Sequence, residues 1–79
     1  MENSTKIYVE LLEEGTRVWR PVAAEPQADG SFMISEQEVP EDEQWQFLPG
    51  ERVMVETQMR NGEAVLVAVK LADYQLEYK

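Results

Sequence analysis

Seventy-nine residues with 43% apolar side chains make one small domain, near the lower size limit at which a single core sustains a fold. There is no cysteine and no histidine, so disulfides, zinc sites and the usual nucleophile–base pairs are excluded, and the core must hold without a staple. Sixteen acids against seven bases give a net charge of −9, which opposes polyanion binding and suits a protein that stays apart from its copies in solution.

The amino end, Met1-Glu2-Asn3-Ser4-Thr5-Lys6, is polar, and no apolar run approaches the length of a membrane span, so a cytoplasmic protein with no membrane association is expected. Lys6 to Leu12 alternates, with Ile7, Val9 and Leu11 on one side, which predicts a first strand. Glu13-Glu14-Gly15 reads as a three-residue hairpin loop with glycine in the left-handed position. Arg17 to Ala24 is the second strand, and Pro21 within it requires an edge or a bulge because it cannot donate to a ladder. Asp29-Gly30 is a turn pair, and Ser31 to Ser35 a short third strand.

From Glu36 to Gly50 the alternation breaks. Pro40 followed by Glu41, Asp42 and Glu43 suits one helical turn, Trp45, Phe47 and Leu48 return to the core, and Pro49-Gly50 suits a type II turn. Glu51 to Met59 alternates again. Asn61-Gly62 is a type I′ hairpin signal. Glu63 to Leu71 is apolar on both faces and predicts a strand covered on each side. Residues 72–79 place Tyr74, Leu76 and Tyr78 on one side, as a sixth strand or a tail. The expected architecture is all-β: a single domain over 1–79 with a core from about 6 to 71. It is a small five-stranded antiparallel barrel, SH3-like first and OB-like second, with at most one helical turn between strands 3 and 4.

Val18-Trp19-Arg20-Pro21-Val22, Trp45-x-Phe47-x-Pro49-Gly50-x-x-Val53 and Leu66-Val67-Ala68-Val69 resemble a group of small uncharacterised bacterial proteins with the pattern V-W-R-P-V … W-x-F-x-P-G-x-x-V. The similarity spans roughly residues 6 to 70. It implies a bacterial origin and a compact β domain, and it transfers no functional residue.

A carboxylate pair is inevitable among sixteen acids and does not argue for hydrolysis, so no enzyme and no cofactor is expected. Glu36, Glu38, Glu41, Asp42 and Glu43 lack the order of a calcium loop, and no metal is expected there. Arg17, Trp19 and Arg20, joined by Arg52 and Lys70, would form a stacking platform for single-stranded nucleic acid, which the net charge disfavours. A protein-binding module remains, as a monomer or weak dimer. Its first candidate surface is Glu36, Glu38, Glu41, Asp42 and Glu43 with Trp45 as aromatic anchor, facing a partner protein with a basic surface. This segment lies within Pro21–Glu51, which holds no Lys or Arg. Its extreme form is a nucleic-acid mimic that inhibits a DNA-binding protein. The second surface is the Tyr74, Leu76 and Tyr78 stripe, a candidate for strand addition.

Overall fold

The computed structural model describes residues 4–72. Five strands follow one another: β1 (Thr5–Leu11), β2 (Val18–Pro26), β3 (Phe32–Ile34), β4 (Arg52–Arg60) and β5 (Glu63–Leu71). Each pairs antiparallel with the next, and β5 returns to β1 to close the ring. An odd number of alternating strands can close only through a parallel pair, and this closure is made at Tyr8↔Val67. Neighbours in the ring are neighbours in sequence, which is not the Greek-key order of an OB-like barrel. Among the described residues there is no helix, so none is long and apolar enough to cross a membrane.

Alternation places the core. Ile7, Val9 and Leu11 from β1 meet Val22 and Ala24 from β2, Ile34 from β3, Val53 from β4 and Ala68 from β5. Trp45 and Phe47 enter the same cluster from the long β3–β4 connection, whereas Leu48, next to the Pro49-Gly50 turn, stays exposed. Fully burying a Val, Leu, Ile or Phe side chain contributes about 1.5–3 kcal/mol, and seven of the ten buried residues of this cluster are of that kind.

The turns follow local chemistry. Asn61 (φ 53°) and Gly62 (φ 81°) form the two-residue left-handed turn between Arg60 and Glu63. Glu51 N–H donates to the Leu48 carbonyl at 3.1 Å around Pro49-Gly50, with Gly50 at φ 90°, as a type II turn requires. Asp29 Oδ1 accepts from both Ser31 N–H (3.0 Å) and Ser31 Oγ–H (2.6 Å), which satisfies a fully buried serine.

The β1–β2 connection differs from the three-residue loop expected. Leu11 pairs with Val18, so the loop runs from Leu12 to Arg17 and takes a second left-handed residue, Glu13 (φ 61°). In β5 both Val67 and Ala68 are buried, one on each face, as a doubly covered strand requires, yet Val69 and Leu71 are exposed. The cause is a bulge. Met54 pairs with Lys70 and Val55 with Ala68, leaving Val69 as an extra residue that turns the end of β5 outward.

Pro21 sits where its missing donor costs nothing. Ala23, two residues on, directs its backbone groups away from β1: its carbonyl accepts from Ser35 N–H and its N–H donates to Gln37 Oε1. Pro21 therefore faces the same way, beyond the reach of β3, which pairs only with Ala24, Glu25 and Pro26.

Candidate functional site

The segment 35–50 carries the sequence-nominated acids, and three devices fix it to the barrel. At its start the Gln37 amide substitutes for a strand residue. Its Nε2 donates to the Ala23 carbonyl (3.0 Å) and the Ser35 carbonyl (2.7 Å), and its Oε1 accepts from Ala23 N–H (3.3 Å). In its middle, Glu43 N–H donates to the Pro40 carbonyl at 3.0 Å, a single turn that goes no further. At its end, residues 44–46 add to the tip of β1. Leu12 N–H donates to the Gln44 carbonyl (2.7 Å), Gln46 N–H donates to the Glu10 carbonyl (2.8 Å), and Leu11 bridges Trp45.

This docking reassigns two nominated residues. Trp45 is only 4% exposed, so its ring belongs to the core and offers no aromatic anchor on the surface. Its indole N–H donates to Glu43 Oε1 at 3.0 Å. Arg20 grips the same carboxylate with two bonds of 2.6 Å, from Nε to Oε1 and from Nη2 to Oε2. The guanidinium, and after it the indole N–H, hold the Glu43 carboxyl below the usual carboxylate range, and Arg20 is raised in turn. Glu43 is thus a structural acid that links β2 to the connection, not a free one. Glu36, Glu38, Glu41 and Asp42 are exposed.

The bridge has a consequence no local pattern shows. Glu41 and Asp42 arrive beside Glu13 and Glu14 of the β1–β2 loop, and together with Leu12, Glu43 and Gln44 they line a hollow of about 330 Å³. Leu12 is 39% exposed there. Glu13 and Glu14 were legible only as loop residues; the signal for them is their position next to Leu11, the strand end that receives Trp45. Among the described residues no three acids come together in a way that would hold a metal ion.

A second feature lies where Arg60 of β4 meets Arg17 and Trp19. Trp19 is half-buried, with the Arg60 guanidinium 4.0 Å and the Arg17 guanidinium 5.1 Å from its ring centre. Arg17 also makes a two-bond pair with Glu10, at 3.1 and 3.2 Å, which raises its pKa. Hollows of about 400 and 290 Å³ lie here, both lined by Arg17, Trp19, Arg60 and Val67. The platform of the sequence reading is therefore differently composed: Arg20 is with Glu43, Arg52 pairs with Met33 and Lys70 with Met54. Guanidinium groups already lie over the Trp19 ring. Tyr74, Leu76 and Tyr78 lie outside the described residues. No family model, no curated protein and no solved structure matches the chain.

Proposed function

We propose that the chain is a small protein-binding module that receives a basic partner surface on its acidic rim, with no catalytic role. The observation that carries this is the convergence of Glu13 and Glu14 with Glu41 and Asp42 around the exposed Leu12. Four carboxylates from two distant parts of the chain provide steering toward Lys and Arg, and Leu12 gives an apolar contact in the same hollow. The net charge of −9 acts in the same direction at longer range.

The test begins with affinity capture from a bacterial lysate at low and high salt. Association kinetics follow, with the captured protein and a variant carrying Glu13→Gln, Glu14→Gln, Glu41→Gln and Asp42→Asn. Glu43 stays intact in that variant, because it holds Arg20 and Trp45. The variant should associate more slowly and lose most of the salt dependence while its melting point stays the same or rises. Equal rates and salt slopes for the two proteins would reject the rim. If the captured protein binds DNA, competition between DNA and this chain separates mimicry from ordinary docking.

A further inference from the structure

The ring is incomplete on one side. β3 pairs only with Arg52 and Val53 of β4, so from Met54 to Arg60 the strand has β5 as its sole strand neighbour among the described residues. Hydrogen-bond directions identify which groups are left over. The Arg52 carbonyl accepts from Ala72 N–H, on the β5 side, and the Glu51 carbonyl accepts from Ile34 N–H, on the β3 side. The bulged residue is on β5, so this alternation runs undisturbed along β4. Even-numbered residues face β5. Val55, Thr57 and Met59 turn their N–H and C=O groups to the open side.

We infer that this edge pairs antiparallel with the same edge of a second copy, in a two-fold symmetric arrangement centred on Gln58. Both the hydrogen-bond alternation and the charges select that register. Two outward-facing odd residues must stand opposite each other, so the two numbers in each pair sum to an even total. Centring on Glu56 would put Glu56 opposite Glu56 and Arg52 opposite Arg60, like charge against like. Centring on Thr57 opposes no charged pair. Centring on Gln58 sets Thr57 opposite Met59 as a hydrogen-bonded pair and Glu56 opposite Arg60 as the closer, non-hydrogen-bonded pair, twice by symmetry.

The side chains present fit this use. Arg60 stacks on Trp19 and gives one N–H to Gln58 Oε1 (2.6 Å), and it makes no ion pair with a carboxylate among the described residues. Stacking leaves in-plane guanidinium donors for a partner's Glu56. Met59, at 68% the most exposed large apolar side chain described, is covered by the second strand. The contact is short and each copy carries −9, so the dimer is weak, populated at high micromolar concentration and above. This goes beyond the acidic-rim reading and uses none of its residues.

The experiment is sedimentation equilibrium over about 10 μM to 1 mM at ~0.15 M salt, where a Debye length of about 8 Å spares the close pairs and screens the rest. The average mass should rise from 9.1 kDa toward its double. Glu56→Lys alone and Arg60→Glu alone should each stay monomeric, because each creates two like-charge pairs. An equimolar mixture of the two should dimerise, because both pairs are then complementary. With no native cysteine, Gln58→Cys places two thiols across the axis at disulfide distance and should cross-link readily under mild oxidation. Glu56→Cys, displaced by four positions from its symmetry mate, should not. A wild type that remains monomeric throughout, a mixture no more associated than its components, or equal cross-linking of the two cysteine variants would overturn the inference.

Discussion

The two tryptophans, alike as sequence features, should behave very differently when removed. Trp45 is 4% exposed, packs in the core cluster with Leu11 and Phe47, and donates its indole N–H to Glu43. Truncating a side chain in such a place costs about 3–5 kcal/mol. A chain of this length has roughly 4–12 kcal/mol in total, so Trp45→Ala should consume much of the stability. At about 4–8 °C per kcal/mol, the melting point should fall by roughly 12–40 °C, and a marginal fold will not survive. Trp19 is half-buried, and the guanidinium groups of Arg17 and Arg60 lie over its ring. Losing those is worth about 0.5–2 kcal/mol, a drop of roughly 2–16 °C. Thermal melts followed by circular dichroism measure both, and Trp45→Phe, which keeps a ring in the core, should fall between them. If Trp19→Ala were as damaging as Trp45→Ala, the assignment of one ring to the core and the other to the surface would be wrong.

Gln37→Ala should cost about 1–2 kcal/mol, because the Ala23 N–H loses its acceptor. Hydrogen exchange at the Ala23 amide is the local readout, and unchanged protection there would contradict the clamp. Glu43 gives a pH signature. Its carboxyl is held below the usual range in the folded chain, so its contribution is complete above the ordinary carboxylate pKa and is lost as the pH falls through the lowered value. The stability difference between wild type and Glu43→Gln should therefore be present at pH 7 and shrink on acidification below about 4. A difference that stays constant with pH would show that the Arg20 pair does not depend on ionisation.

Period-two alternation made the strands legible from Ile7 to Leu11 and from Val53 onward, and Asn61-Gly62 marked the last hairpin because only a few residues tolerate its backbone. What alternation could not supply was the partner of each irregular segment. Trp45 reads both as a core residue with Phe47 and as the anchor of the acidic run it follows, and the bridge to Leu11 decides for the core. The same bridge brings Glu41 and Asp42 to Glu13 and Glu14, a meeting that depends on a pairing some thirty positions apart. Arg20 looked like a companion of Trp19 because the two are adjacent. Adjacent strand residues point to opposite faces, and Arg20 goes to Glu43 while Trp19 goes to Arg60. The bulge at Val69 has no local marker at all, since a valine in a run of apolar residues reads as any other strand position.

Pro21 and Gln37 bear on how far such a molecule can polymerise. Where β3 stops short, two strands are left without it, β4 on one side and the first half of β2 on the other. A subunit with two free strands adds a neighbour at each and grows into a fibre; a subunit with one ends in a pair. On β2, Pro21 offers no N–H, and the backbone groups of Ala23 are already taken by Gln37 and Ser35. On the β2 side of the gap Pro21 and Ala23 thereby act as a terminator does in polymer growth, because neither has a backbone donor left for a joining strand.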